Sequence, residues 1–285
     1  MYNYITLAMV KRYIGGAINT SDDDRLVDFI GWAARLVEWW KERRFDVRRE
    51  TRVFNTPSAG GTLFGVYDAS LLAGATNPVL RLDDDLLAII ELKNGDGIAI
   101  PSTDYVLEPA NFYPKNRVRL RAGTVWLDSE DGPEQAIALT GLWGYHERYA
   151  EAWRAVDTVQ VANVLIGDVL INITDAADYE VGQLLKLEDE FMLLEEIDAV
   201  GKKLTVERAV NGTSAAAHAL ATPISIYQTS GTISQVCMRL VKWRYVQKDA
   251  DQFDHSYVMG SGVMTMPTSI PIDVARILGA HKVRL

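Results

Sequence analysis

Residue types that carry enzyme and metal chemistry occur in this sequence, but their spacing does not assemble a site. The four histidines, His146, His218, His255 and His281, are far apart. None belongs to a pair of ligands set three or four residues apart in a metal-site pattern, so no zinc centre is expected. His218 follows the small residues Ala215-Ala216-Ala217, where a structural hydrogen-bonding role is expected. Asp83-Asp84-Asp85 offers oxygens to a divalent cation, yet consecutive side chains point in different directions, and the run reads as a solvated turn or a helix start. Glu195-Glu196 and Glu188-Asp189-Glu190 alternate across strands, so their carboxylates are not expected to converge as an acid-base pair. Gly260-Ser261-Gly262 lacks the Lys-Ser/Thr ending and the following helix of a phosphate-binding loop. Cys237, the single cysteine, falls on the apolar side of a helix and reads as a buried, inert thiol. The expectation is a protein that is not an enzyme and takes no cofactor and no metal.

Composition narrows the class further. The chain has 285 residues, 48% hydrophobic and 24% charged, which is ordinary for a globular protein of one or two domains. No run approaches the roughly 20 apolar residues of a membrane helix, so no membrane association is expected. The start Met1-Tyr2-Asn3-Tyr4-Ile5-Thr6 has no features of a secretory signal, and one cysteine fits synthesis in a reducing cytosol. A net charge of −9 argues against wholesale nucleic-acid binding. Residues 156–229 hold 12 acidic against 4 basic residues and so carry nearly all of that excess.

The elements that would position these groups follow from periodicity and punctuation. Thr6 caps a short helix over Leu7 to Ile14, which Gly15-Gly16 ends. A longer helix is predicted over 22–43, with Asp22-Asp23-Asp24 in its first turn and Lys41, Arg43 and Arg44 in its last, matching the helix dipole. It carries two apolar stripes: Leu26, Ile30, Ala33, Val37 and Trp40, and beside them Phe29, Trp32, Leu36 and Trp39. A helix packed on one neighbour needs one stripe, so this one is expected to be covered from two sides. Strands are predicted over 47–53, 86–92, 98–100, 105–107, 117–127 and 136–142, with a long loop from Asn55 to about Pro78 and a tight turn at Asn94-Gly95-Asp96-Gly97. From 164 to 227, short apolar runs between turns predict a small all-β unit. Helical spacing returns at Ile233, Val236, Cys237, Leu240 and Val241, a hinge is expected at Gly260-Ser261-Gly262, and Pro271 opens a short helix to Leu278 before a basic tail.

The order of these elements, with Leu82-Asp83-Asp84-Asp85-Leu86-Leu87, Asn94-Gly95-Asp96-Gly97 and Ile270-Pro271-Ile272-Asp273-Val274-Ala275-Arg276-Ile277-Leu278, resembles tailed-phage head-tail connector (adaptor, head-completion) proteins. Val206-Glu207-Arg208-Ala209-Val210-Asn211-Gly212-Thr213-Ser214-Ala215-Ala216-Ala217-His218 looks like a motif that recurs in phage tail and connector proteins, a strand ending in an Asn-Gly turn followed by small residues and a His. The resemblance implies an α+β fold with an N-terminal helical bundle, a small antiparallel sheet, a long helix in the C-terminal half and an extended C-terminal arm. Domains are expected at 1–156 (bundle and sheet), 157–229 (inserted β domain), 230–259 (core helix) and 260–285 (arm).

The same resemblance implies a homo-oligomeric ring, about dodecameric, that docks on the portal protein ring and meets the tail or the next head-completion protein. DNA passes through its channel without sequence-specific binding. The location implied is the head-tail interface of the virion, after assembly in the host cytoplasm. The portal-docking arm is expected to use Met264, Met266, Ile270, Pro271, Val274, Arg276, Ile277, Leu278, Lys282 and Arg284, mobile alone and ordered on the portal; the subunit interface is expected to use Phe29, Trp32, Leu36 and Trp39. Alternatives from other classes are a tail-tube or baseplate protein and a phage cell-wall hydrolase.

Overall fold

A computed structural model describes residues 3–16, 18–57, 78–247, 256–257, 264–265 and 270–280. The expected fold class is correct: among these residues the chain is α+β, with four helices and two large antiparallel sheets of five and six strands. It divides into two compact units. The first comprises 1–46, 152–210 and 214–285, and the second comprises 47–151 with 211–213. This division differs from the expected one, which grouped the sheet with the helices and set 157–229 apart.

In the first unit the helices form where capping and periodicity place them. Helix α1 (Leu7–Ile14) starts at Thr6, whose hydroxyl accepts a 3.1 Å bond from Met9 N, and ends at Gly15, where φ is 75°. Helix α2 (Asp23–Lys41) stops one turn after Val37, at Glu42 with φ 51°. Of its first stripe, Leu26, Ile30, Ala33 and Val37 are buried, while Trp40, at the end of the helix, is exposed. Helix α3 (Gly231–Val246) buries Ile233, Val236, Cys237, Leu240 and Val241. Tyr4 anchors the chain start: its phenol donates to Glu38 and accepts from Phe45 N, while Ser234 Oγ donates to its carbonyl. Burial raises the Tyr4 phenol far above its ordinary value and keeps it a donor.

The six-stranded sheet of this unit runs in the order β6-β11-β8-β9-β10-β7, with β6 Trp153–Thr158, β7 Leu170–Asn172, β8 Leu184–Leu187, β9 Glu190–Asp198, β10 Lys203–Glu207 and β11 Pro223–Tyr227. Its core is apolar, built from Ile171, Leu185, Leu187, Met192, Leu194, Leu204, Val206, Ile224 and Ile226. A β-bulge makes Glu195 the extra residue of β9, because Thr205 faces Glu196 while Val206 faces Leu194.

The second unit is a five-stranded sheet in the order β1-β5-β2-β4-β3: β1 Arg48–Phe54, β2 Val79–Lys93, β3 Tyr105–Glu108, β4 Lys115–Leu120 and β5 Ile137–Trp143. Strand β2 is longer than predicted and corrects the reading of Asp83-Asp84-Asp85 as a turn or helix start. These acids stand inside the strand, where its register to β4 breaks between Arg81 and Leu86. Arg52 from β1 neutralises two of them, at 3.3 Å from Asp83 and 2.9 Å from Asp84, and lies 4.3 Å above the Trp143 ring. Strand β4 stops before its predicted end because Arg121-Ala122-Gly123-Thr124 turns, with Gly123 at φ 96°. Edge strand β1 is partly covered by the Asn211-Gly212-Thr213 turn: Arg49 N donates to Asn211 O and Asn211 Nδ2 to Val47 O, both at 2.9 Å. Only glycine fits at 212, where φ is 79° and a Cβ would overlap the Arg49 carbonyl oxygen.

Candidate functional site

The motif 206–218 builds the most elaborate polar cluster of the β lobe. Glu190 opens β9 directly after the β8-β9 turn, and Arg208 follows the neighbouring β10. Arg208 grips the Glu190 carboxylate through two parallel bonds, Nε to Oε1 at 2.6 Å and Nη2 to Oε2 at 2.7 Å. The remaining capacity of Glu190 is taken by Ala209 N at 3.1 Å, Ala216 N at 2.9 Å and His218 Nε2 at 2.9 Å. The other His218 nitrogen, Nδ1, lies 2.8 Å from Glu188 Oε2. Glu190 and His218 are each 1% exposed. Burial alone would raise the Glu190 pKa, but bonds from Arg208, Ala216 N and His218 outweigh it and hold the carboxyl down at about 2.

This corrects one expectation. Glu188 and Glu190 do converge, because Glu188 stands in the β8-β9 turn with φ 51° and both carboxylates reach the His218 ring. They converge on His218, not on an open cavity. Both ring nitrogens are engaged, the ring is buried, and the geometry is that of a structural latch.

The latch also fixes a loop. Arg208 donates to the carbonyls of Leu165 at 3.0 Å, Asp168 at 2.7 Å and Ala216 at 2.6 Å, while Val164 and His218 exchange backbone bonds at 2.8 and 2.9 Å. The Leu165-Ile166-Gly167-Asp168 turn is closed by its own bonds, Leu165 N to Asp168 Oδ2 and Asp168 N to Leu165 O. The resemblance to phage tail and connector proteins singled out this motif, but nothing in the sequence pointed to the pairing of Glu190 with Arg208, since 18 residues separate the two.

The expected interface stripe on α2 is treated unevenly by the fold. Phe29, Trp32 and Leu36 are half-buried. Helix α3 supplies part of their cover: Trp243 stacks on Trp32 with ring centroids 6.4 Å apart, and Arg244 lies over Trp32 at 4.5 Å and Phe29 at 5.1 Å. Trp39, the fourth member, is 75% exposed.

Of the expected docking arm, Met266, Lys282, Arg284 and the hinge 260–262 lie outside the described residues. The backbone of Met264 belongs to a short strand, β13 (Met264–Thr265), paired with β12 (Ser256–Tyr257). Helix α4 (Ile272–Ala280) forms as predicted but is packed on α2 and α3. Val274 and Leu278 are buried, Lys41 Nζ donates to the Leu278 carbonyl, and Asp273 pairs with Arg239 at 2.6 Å. Ile270, Pro271 and Ile277 are half-buried and Arg276 is exposed. Over α4, then, the segment differs from the free arm expected: residues 274 and 278 share one helical face, and that face is covered.

Among the described residues no group of three or more His, Cys, Asp or Glu side chains is placed to hold a metal ion. Cys237 is buried and burial pushes its thiol pKa up, away from nucleophilic chemistry. No described helix is long and apolar enough to cross a membrane. Compared with protein-family models, curated proteins and solved structures, the chain matches no family model, no curated protein and no solved structure.

Proposed function

We propose that this chain is a structural subunit of a tailed-phage head-tail connector, which closes into a ring, docks on the portal and joins head to tail around the DNA channel. It acts by assembly and not by catalysis, and its place is the head-tail interface of the virion. The observation that carries this reading is Trp39, 75% exposed on a helix stripe whose earlier members, Phe29 and Trp32, already have cover within the subunit. A large aromatic left outside its own fold marks a surface that a second subunit covers, and such residues dominate interface energies. The order of a helix pair, a sheet and, after a second sheet, a long helix agrees with the bundle, sheet and long helix that the connector resemblance implies. The latch of Glu190, Arg208 and His218 supports a structural use of the motif 206–218, because it engages its own polar groups internally.

Sedimentation velocity and negative-stain imaging of the protein, alone and with purified portal rings, test the reading. The expected outcome is a closed ring seated on the portal. Trp39→Glu is expected to leave the monomer's unfolding within about 0.5 kcal/mol of wild type, as for an exposed site, while ring assembly is lost. A wild-type chain that stays monomeric and leaves portals bare would overturn it.

A further inference from the structure

We infer that Trp39 of one copy docks in a cleft on the five-stranded sheet of a second copy, with its indole against Arg49; this rests on the ring reading above. The cleft opens beside a bulge. The register of β2 to β5 shifts between Ile89 and Glu91, so Ile90 leaves the ladder and the strand bends there. The half-open cleft measures about 680 Å³, a size that admits an indole. Leu92 and Ile100 are buried and form its floor, Ile89 and Tyr105 are half-buried walls, and Glu91 is exposed. Arg49 of β1 lines it too. That residue is half-buried, and its guanidinium has neither an anion nor a ring beside it among the described residues. A partly desolvated cation of this kind gains from an incoming aromatic face or carboxylate.

The surface of α2 supplies both. Trp39 is 75% exposed. Arg35 stands one turn before it on the same face, and Glu42 ends the helix just beyond it. Both are exposed and have no ion-pair partner among the described residues. Along α2 the order is therefore cation, indole, carboxylate, and across the cleft it is carboxylate, apolar floor, cation. The spacings agree. The helix rises about 10 Å from Arg35 to Glu42, and Glu91 and Arg49 stand on β2 and β1 with β5 between them, two strand spacings or about 10 Å. In one orientation Arg35 meets Glu91, Glu42 meets Arg49, and the indole enters between them, tryptophan being the ring that gains most from a cation. The reverse orientation opposes like charges, so the contact has a direction. Glu91 also pairs with Lys93 at 3.2 Å, but both side chains are 44% exposed and water competes for that pair. One patch meeting a different patch on the next copy is the heterologous contact from which a ring closes.

Sedimentation velocity and negative-stain imaging of wild type, E42R, R49E, the double variant E42R/R49E and S102W test the contact, with thermal unfolding as the check on folding. E42R and R49E are each expected to need about a tenfold higher concentration to assemble, because each sets like charges together. The double variant should assemble near the wild-type concentration, since every contact regains one cation and one carboxylate. Ser102 is exposed and lines the cleft, so S102W fills it without touching the sheet core and should also hinder assembly. If R49E melts early, S102W carries the test. Rings of R49E and S102W at the wild-type concentration overturn the contact and leave the ring reading standing, and so does a double variant no better than R49E. R49E that assembles normally but has lost affinity for indole-3-acetate would assign the cleft to a small aromatic acid and overturn the contact as well. A wild type that never assembles, alone or on portals, overturns both.

Discussion

Two charged constellations, one in each unit, pair an arginine with carboxylate at similar distances and have different physical worth. In the β lobe, Arg208 and His218 hold Glu190 at 2.6–2.9 Å with both members of the central ion pair almost fully buried. In the five-stranded sheet, Arg52 binds Glu50 at 3.0 Å and Asp84 at 2.9 Å, but its side chain is 24% exposed and its partners 39% and 27%. Water competes for the second group and not for the first. Removing one partner of the buried pair leaves an uncompensated charge in a low-dielectric interior, whereas removing Arg52 returns its acids to solvent. Distance alone does not rank such pairs; burial does.

The contrast can be broken in order of expected effect. Glu190→Ala should destabilise the protein by about 3–5 kcal/mol, because Arg208 and three further donors lose their acceptor; equilibrium denaturation measures it, and a loss below that of Arg52→Ala would erase the distinction. Acid should act through the same group. The folded carboxyl is held at about 2 against an ordinary 4.5. Its stabilisation is therefore present in full above about 4.5 and is lost as pH falls towards about 2, amounting to roughly 3 kcal/mol. Denaturant titrations across that window, for wild type and Glu190→Ala, should show a slope in wild type that the variant lacks. Arg52→Ala is expected to cost only about 1 kcal/mol, from partly exposed ion pairs and the contact with Trp143. Smallest is Glu188→Gln: its side chain is 59% exposed, and keeping a hydrogen-bonding oxygen should hold the loss to about 0.5 kcal/mol or less. Thermal melts resolve it from Glu190→Ala, although both carboxylates touch the same imidazole.

What could be read from the sequence was what depends on neighbours along the chain. Thr6, Gly15 and the apolar spacing of α2 gave α1 and α2 nearly to the residue, and the short apolar runs after residue 164 gave strands β7 to β11. What could not be read depends on partners far apart in sequence. Asp83-Asp84-Asp85 reads as a turn until Arg52, 31 residues earlier, is placed beside it. Strand β6 lacks an apolar run of its own, with Trp153 and Val156 its only large apolar residues, and is specified by pairing with β11. Glu188-Asp189-Glu190 reads as alternating strand residues, whereas Glu188 stands in the turn between β8 and β9, with φ 51°. The cover over Phe29 and Trp32 comes from Trp243 and Arg244, about 200 residues away, where a helix face predicts burial but not by what.

Trp39 has a use apart from packing. Seven tryptophans are present, and of the others Trp126 and Trp143 are sealed in the sheet core while Trp32 is stacked on Trp243. An indole 75% open to water emits at long wavelength and meets a small quencher such as acrylamide at nearly every encounter. Burial beneath another molecule would shift its emission to the blue and shield it from collision. The chain thus carries an intrinsic fluorophore at the surface in question, and association at α2 can be timed in unlabelled protein, in a stopped-flow cell, by light alone.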